Sequence, residues 1–437
     1  MIGVYYGLAT LAAMFVGMPI AFALGSVAVL FMLIYMPAAS LDTVTQNVYE
    51  ELASITLLSI PLFILKGAAI GRSRAGKDLY SAIHAWMQRI PGGLGIANVI
   101  ACALFAAMAG SSPATCSAIG SAGIPEMRAR GYSPSLAAGI IAAGGTLGIL
   151  LPPSITMILY SVAAEQSLGR LFLASIVPGL MLMLFFAVYA AWRFSRDQHL
   201  AGESAYVEPP STWAEKFRLL PRVGPFLILL LGVMVALYGG YATPAETAGL
   251  GGLLALGLVV VVYRMWKPSD LSPILTATIR ESTMLMFIIG MSLLYSYVMS
   301  YLHISQSAAQ WIVDQHFSRW MLLTSVLVLV AVLGFFLPPV SIIVMTAAII
   351  LPPLKAAGFN LVWFGVIMTI IMEMGLIHPP VGLNLFVIRN VAPDIPLGKV
   401  IRGVMPFVGL MMLAVLILCV FPDLSLVMPD WVLGKKN

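Results

Sequence analysis

The sequence predicts an all-α polytopic membrane protein built from two inverted repeats. Three observations support this class. The 437 residues are 60% hydrophobic and 9% charged, with a mean hydropathy of +0.99, whereas ordinary soluble domains carry about 25% charged residues. Apolar segments long enough to span a bilayer recur along the whole chain. Two stretches rich in glycine and proline also recur at one fixed separation.

Composition and motifs exclude several function classes. The net charge of +5 is small and lies in loops, so nucleic-acid binding has no support. Cys102, Cys116 and Cys419 have no metal or redox spacing and are predicted to be buried free thiols. No phosphate-binding loop or catalytic motif is present, so we expect neither an enzyme nor nucleotide hydrolysis.

The stretch from Gly110 to Tyr160 organises the chain, and a copy of it follows 227 residues later (352 − 125 = 227). The matched residues are Pro125 with Pro352, Gly131 with Gly358, Gly148 with Gly375, and Pro152-Pro153 with Pro379-Pro380. Ser111-Ser112-Pro113 falls on Pro338-Pro339-Val340. Interrupted segments at corresponding positions of two halves indicate a secondary-transporter site at the repeat interface.

The first repeat is predicted to cover residues 1–221. Residues 2–36 form either two short spans with a tight turn or one long bent span, and the count of crossings below requires two. The next elements are a polar connection at 38–53, a span at 54–71 and an amphipathic interfacial helix at 72–91. A re-entrant hairpin at 93–127, a broken helix at 134–163 unwound over 144–153, and a span at 168–192 follow. The amphipathic helix is either a lever between moving parts or a plain surface helix. Arg89, Arg128 and Arg130 place both ends of the hairpin on the cytoplasmic side.

The second repeat is predicted to cover residues 222–437 with the opposite orientation. Its elements are spans at 223–239, 246–263, 282–302 and 403–421, a connection at 303–318, a hairpin at 320–351, and a broken helix at 361–388 unwound over 375–382. Each repeat then supplies about five crossings, one re-entrant hairpin and one broken helix, with both termini outside.

The breaks have the chemistry of a cation site. Unwound backbone inside a membrane presents free carbonyls, to which serine and threonine add hydroxyl oxygens, and sodium prefers such ligands. The alternative is that glycine and proline only bend or pack helices, but four breaks paired by a repeat favour a site. The candidate metal ligands are Ser111, Ser112, Gly145, Gly148, Leu151 and Pro153 in the first half, and Pro338, Ser341, Gly375, His378 and Pro380 in the second.

An anionic substrate is expected, because helix N-termini after each break carry partial positive charge and unpaired N–H groups. The candidate substrate contacts are Ser112, Thr115, Thr146, Lys355 and Asn384. Glu373 and His378 are ionisable residues in the second break. Glu373 either ligates a cation, relays a proton or pairs with a polar neighbour. Lys66, near a span end, is expected to extend towards the membrane surface.

Three motifs carry a family resemblance: AGSSPATCSAIGSAGIPEM, GGTLGILLPPSITMILY and GLIHPPVGLNLFVIRNVAP. They resemble the large membrane subunit of tripartite ATP-independent periplasmic (TRAP) transporters, and the likeness covers essentially the whole chain. The resemblance implies an elevator-type carrier of the bacterial inner membrane, coupled to sodium. It also implies a separate small four-span membrane subunit and a soluble periplasmic binding protein. The implied cargo is an organic acid, with a C4-dicarboxylate the most frequent in the family.

The resemblance also carries over the family's sodium sites. They fall on Ser111-Ser112 with Gly148–Pro153, and on Pro338 with Gly375–Pro380. The second broken helix often reads Ile-Thr-Pro-Pro in the family, whereas His378 replaces the threonine here. A backbone carbonyl ligand would survive this change, a hydroxyl ligand would not, and histidine titrates near neutral pH. The alternative functions are a stand-alone or proton-coupled organic-anion carrier and, from other classes, a channel or an intramembrane enzyme.

Overall fold

The chain is helical throughout the residues that the computed structural model describes, namely 2–88, 90, 92–201, 212–304, 306–307, 310 and 318–434. Helices make up 84% of the structure, and these residues contain no strand. Lipid offers no hydrogen-bonding partner, so a chain this apolar satisfies its backbone within helices. The predicted all-helical class is confirmed.

The helices of the first half follow the predicted order. They are α1 (Ile2–Phe15), α2 (Ile20–Tyr35), α3 (Ala39–Leu52), α4 (Ile55–Gly71), α5 (Ala75–Met87), α6 (Gly93–Ala109), α7 (Ser112–Ala129), α8 (Pro134–Leu150), α9 (Ile155–Ala163) and α10 (Leu168–Ala201). The polar connection predicted at 38–53 takes the form of a helix, α3. Leu41, Val44 and Val48 pack on one face of it, while Gln46 and Glu50 bond to each other on the exposed side.

The second half has the same kinds of element. They are α11 (Trp213–Tyr238), α12 (Pro244–Val261), α13 (Pro268–Tyr301), α14 (Arg319–Gly334), α15 (Pro339–Ala356), α16 (Leu361–Ile377), α17 (Leu383–Val391), α18 (Leu397–Val420) and α19 (Asp423–Leu433). The sequence did not predict α19, which packs against α10. Arg89 and most of the connection at 303–318 lie outside the described residues. The predicted boundary at 221–222 lies inside α11, where the chain bends by 53°.

Two helices joined by a short turn occupy each predicted hairpin, and a helix, an unwound stretch and a short helix occupy each predicted broken helix. That the hairpins are re-entrant stays a prediction. Helix α15 begins and ends 227 residues after α7 begins and ends (339 − 112 and 356 − 129). The same separation holds between α8 and α16 (361 − 134 and 377 − 150). The breaks are shorter than predicted, because Gly144–Gly148 and Gly375 are helical and only 151–154 and 378–382 are unwound. Close packing explains the helical glycines, since small residues let membrane helices approach closely.

Two sets of helices pack against each other. We call α6–α10 with α14–α19 the central bundle, and α1–α4 with α11–α13 the flanking bundle. Every residue from Leu136 to Leu150 in α8 and from Leu361 to Ile377 in α16 is buried, as expected of helices that are apolar on all sides. These two helices therefore form the core of the central bundle.

Five described helices are individually long and apolar enough to cross a membrane, or up to eight if each bent pair is one span. The five are Leu168–Asp197, Pro244–Val261, Pro268–Tyr301, Pro339–Ala356 and Leu397–Val420. Several predicted crossings instead use helices of 14–17 residues. The predicted number of crossings and their inverted orientation stay predictions.

The amphipathic helix α5 touches both bundles. Arg130, just after α7, donates a hydrogen bond of 2.7 Å to Nε2 of His84. Tyr263, just after α12, donates one of 2.9 Å from its hydroxyl to Asp78. This placement is the one a lever would need, and the lever role stays a prediction.

Candidate functional site

The tip of the first hairpin is a tight turn between α6 and α7. Gly110 takes a left-handed conformation with φ of 65°, which favours glycine. Ser111 follows in an extended conformation. Its carbonyl accepts hydrogen bonds from the backbone N–H of Thr115 at 3.1 Å and from the Thr115 hydroxyl at 2.9 Å. Thr115 thus closes the first turn of α7 and does not present its hydroxyl to a ligand.

The first broken helix is unwound from 151 to 154. Pro152 and Pro153 have no N–H, so the carbonyls of Gly148 and Ile149 lack the helical donor four residues ahead. Leu151 still donates its N–H to the Leu147 carbonyl at 2.9 Å. The break therefore leaves two backbone oxygens without their ordinary helical partners.

The broken helix lies beside the hairpin tip. A Cβ added to Gly148 would lie 3.5 Å from the carbonyl carbon of Ser111. One added to Gly110 would lie 3.5 Å from the carbonyl oxygen of Pro153. The structure therefore brings together Ser111, Gly148 and Pro153, which the sequence placed in one site.

Asn384 joins this site from the other half of the chain. It lies on α17, after the second break, and its amide nitrogen donates to Ser112 Oγ at 2.8 Å and to the Ala142 carbonyl at 3.1 Å. Gly145 faces the same point, since a Cβ there would lie 3.5 Å from that amide nitrogen. Asn384 is fully buried, and its side-chain oxygen has no partner among the described residues. Its present role is to link the two breaks.

The tip of the second hairpin begins α15. The Pro338 carbonyl accepts the N–H groups of Ser341 at 3.0 Å and of Ile342 at 3.3 Å. Ser341 is buried, and its hydroxyl has no hydrogen-bond partner in the described part of the chain. A buried hydroxyl without a partner is costly, so this oxygen is available to a ligand.

The second break has the same backbone device. Pro379 and Pro380 leave the carbonyls of Gly375 and Leu376 without helical donors. Gly375 packs directly on the backbone oxygen of Gly334, at the end of α14. A cavity of about 50 Å³ lies between this break and the hairpin tip. Its lining includes Gly334, Leu337, Pro338, Gly375, Leu376 and Gly382.

The His378 side chain is held locally. Its ring stacks on Phe335 with centroids 4.4 Å apart, and its Nδ1–H donates to the Pro379 carbonyl. Pro380 is exposed. His378, which departs from the family pattern, thus has its side chain in contact with Phe335 and Pro379.

A central cavity of about 260 Å³ separates the two tips from the flanking helix α13. The tips contribute residues 110–113 and 338–341, and α13 contributes Glu281, Met284 and Ile288. The N-termini of α7 and α15 begin at these tips, so unpaired backbone N–H groups start at this cavity. The arrangement combines hydroxyls, helix N-termini and nearby free carbonyls.

Three other predicted residues do not line the central cavity. Thr146 is buried in α8, where its hydroxyl donates to the Ala143 carbonyl at 2.6 Å. Lys355 is exposed near the far end of α15, about 24 Å from the tip at 1.5 Å per residue. Lys66 does not extend to the surface as expected, because it is 1% exposed and its Nζ donates to the Ala107 carbonyl at 3.4 Å. That expectation is wrong.

Glu373 is buried in α16, and both carboxylate oxygens lack a hydrogen-bond partner among the described residues. An unpaired buried carboxylate is costly when ionised, so it either carries a proton or faces a cation. Glu281 was missed, because the sequence began a span at 282 and left this acid at its edge. The observed α13 starts at Pro268, which places Glu281 well inside the helix.

Known proteins share this sequence pattern and this fold. Residues 8–424 match the family model described as the DctM component of the tripartite ATP-independent periplasmic transporter. The chain is 37% identical over 410 residues to the C4-dicarboxylate TRAP transporter large permease of Pseudomonas aeruginosa, covering 93% of this chain and 94% of the relative. It is 35% identical over 441 residues to the protein of that name from Rhodobacter capsulatus, covering 96% and 97%. The crystal structure of the Alcanivorax borkumensis YdaH transporter shares the fold, with a TM-score of 0.65, 14% identity, and coverage of 95% of this chain and 98% of that one.

Proposed function

This chain belongs to the DctM component family of tripartite ATP-independent periplasmic transporters, and we propose that it imports a small organic acid together with sodium. Membership of this family makes it a transporter subunit and not an enzyme. It is a multi-pass protein of the inner membrane. Sodium coupling, the cargo and the working assembly are the parts that we propose.

One observation carries the proposal: two hairpin tips face a single cavity, and each tip lies beside a helix break with free carbonyls. Neutral carbonyl and hydroxyl oxygens are the ligands found for sodium at broken membrane helices. Helix N-termini at the tips favour the carboxylate of the cargo. A site that takes a cation and an anion next to each other couples their movement.

The cargo is proposed to be a C4-dicarboxylate. Two relatives that align along nearly their whole length are named for this substrate. The central cavity of about 260 Å³ lies just below the range of roughly 300–1,000 Å³ typical of small-molecule sites. A four-carbon acid suits a space of this size.

The proposed assembly adds a small four-span membrane subunit and a periplasmic binding protein that delivers the acid. In the proposed mechanism the central bundle moves against the flanking bundle in the manner of an elevator. Both bundles then keep their internal packing while the central cavity changes its access.

A proton-coupled version is the second candidate, and Glu373 favours it. Its carboxylate has no hydrogen-bond partner among the described residues, so one proton would neutralise it without loss of an existing bond. A cation bound near the second break would neutralise it equally well. The two versions differ in which gradient drives uptake.

The test is uptake of labelled succinate into proteoliposomes that hold this chain and the small subunit, with the binding protein outside. The proposal expects accumulation only when the binding protein and an inward sodium gradient are both present. Full uptake without the binding protein would overturn the tripartite assembly. Uptake driven by a proton gradient without sodium would favour the proton-coupled version, and a panel of other organic acids tests the choice of cargo.

A further inference from the structure

Three adjoining cavities lead from the hairpin tips to the protein surface. The central cavity shares Ser111, Ile155 and Glu281 with a second cavity of about 290 Å³. The second shares Arg72, Ala277 and Glu281 with a third, which we call the mouth, of about 600 Å³. Glu281 lines all three. In this structure the site between the tips therefore opens towards the end of α4 and the first half of α13.

The mouth is lined by two arginines. Arg72 follows α4, Arg280 lies on α13, and both are exposed. Neither forms an ion pair within the described residues. Ser272 and Thr276 add hydroxyls to the same lining. Beside Glu281, the mouth thus offers two guanidinium groups that have no ion-pair partner among the described residues, and guanidinium is the side-chain group best suited to carboxylate binding.

The sequence places this mouth on the cytoplasmic side, because basic residues follow α4 and precede α13. They are Arg72, Arg74, Lys77, Arg264 and Lys267. Of these three charged residues, only Glu281 lines the central cavity. Arg72 joins it in the second cavity, and Arg280 joins both in the mouth. The positive charge along the route therefore rises towards the mouth.

We propose that Arg72 and Arg280 form a release site that receives the organic anion on its way from the hairpin tips to the cytoplasm. The inference rests on the proposed import of an organic acid. The arginines concentrate the anion at the mouth, since charged clefts with low-dielectric walls focus their field. Glu281 repels the anion from the flanking wall, which keeps binding on the route weak enough for departure.

The first test measures the field in the mouth without any substrate. Thr276→Cys is labelled in inside-out and right-side-out membrane vesicles with two impermeant thiol reagents, anionic methanethiosulfonate ethylsulfonate and its cationic trimethylammonium counterpart. The unmodified chain sets the background from Cys102, Cys116 and Cys419, which are buried or half-buried. The ratio of anionic to cationic labelling rates reports the local potential.

The proposal expects labelling from the cytoplasmic face. It also expects that Arg72→Gln with Arg280→Gln lowers the rate ratio about fivefold or more at low salt, and less at high salt. Glu281→Gln should raise the ratio. Arg402→Gln, an exposed arginine on α18 that does not line these cavities, is the matched control and should leave the ratio unchanged. An unchanged ratio in the double variant, or labelling only from the periplasmic face, would overturn the proposal.

The second test measures release. Unlabelled succinate inside proteoliposomes inhibits sodium-driven uptake of labelled succinate by rebinding through the mouth. The double arginine variant should need a higher internal concentration for half inhibition, while its half-saturating concentration of binding protein stays unchanged. An unchanged internal requirement would contradict the release site. If the unmodified protein takes up no succinate, the choice of cargo is wrong. The thiol measurement still tests whether Arg72 and Arg280 make the potential in the mouth positive.

Discussion

The two hairpin-and-break pairs share one backbone device but complete it differently. In the first pair, side-chain hydrogen bonds from Asn384 to Ser112 and to the Ala142 carbonyl close the site. In the second pair, backbone packs on backbone at Gly334 and Gly375. A cavity of about 50 Å³ remains there, and the Ser341 hydroxyl has no partner among the described residues.

The first site is thus closed by hydrogen bonds, whereas the second site keeps a cavity. The first site is tied through Asn384 to α17, the helix that follows the second break. The second site keeps space and an unused oxygen, which are what a bound ion needs. Substitutions at equivalent positions of the two pairs should therefore have unequal effects.

The largest effect is expected from Gly375→Ala compared with Gly148→Ala. At Gly375 the new methyl group meets the backbone oxygen of Gly334, whereas at Gly148 it meets the Ala106 Cβ at 3.1 Å. Overpacking lowers the free energy of unfolding by about 1–3 kcal/mol. We expect the loss in Gly375→Ala to lie at the upper end of this range and the loss in Gly148→Ala to lie at the lower end. Thermal unfolding in detergent measures this, with Gly224→Ala, where a Cβ meets nothing within 4 Å, as control. Equal shifts in the two variants would contradict the comparison.

The next effect concerns the link between the halves. Asn384→Ala removes two buried hydrogen bonds and should cost about 1–3 kcal/mol of the free energy of unfolding. Ser112→Ala leaves the amide bonded to Ala142 and should cost less. The double variant should be less destabilised than the sum by about 0.5 kcal/mol or more, as for residues in contact. Strict additivity would show that the bond contributes nothing to stability.

Ser341→Ala should change function more than stability. Its hydroxyl has no partner to lose, so the free energy of unfolding should stay within about 0.5 kcal/mol. If the hydroxyl ligates sodium, the half-saturating sodium concentration of uptake should rise about threefold or more. Ser325→Ala, whose hydroxyl bonds within its own helix to Met321 at 2.8 Å, is the control. A destabilised variant with unchanged sodium dependence would reverse this interpretation.

The smallest effect is expected from His378→Thr, which restores the residue often found in the family. The ring bonds to the Pro379 carbonyl and stacks on Phe335, so its contacts are all with neighbouring residues of the second break and hairpin. Uptake should stay within about twofold with the same profile between about pH 6 and 8, the range in which histidine titrates. A changed pH profile, or a loss of uptake of more than about twofold, would contradict this expectation.

The elements that repeat were predictable from the sequence, because the Pro-Pro pairs at 152–153 and 379–380 follow the ends of two helices at the same separation. Ser111, Gly148 and Pro153 therefore fell together as expected. The extent of the breaks was not predictable, because burial keeps Gly144–Gly148 helical. Asn384 was predicted as a contact, but its bond to Ser112 joins residues 272 positions apart, which no local pattern encodes. The prediction for Lys66 was wrong for the same reason, because its hydrogen-bond acceptor, the Ala107 carbonyl, lies on another helix.

The central claim is that both breaks take part in sodium-coupled transport. The most direct measurement is the sodium dependence of succinate uptake in proteoliposomes, for the unmodified protein, Ser112→Ala and Ser341→Ala. The account predicts accumulation driven by the sodium gradient and a higher half-saturating sodium concentration in both variants. Accumulation that needs no sodium, or two variants with unchanged sodium dependence, would contradict it.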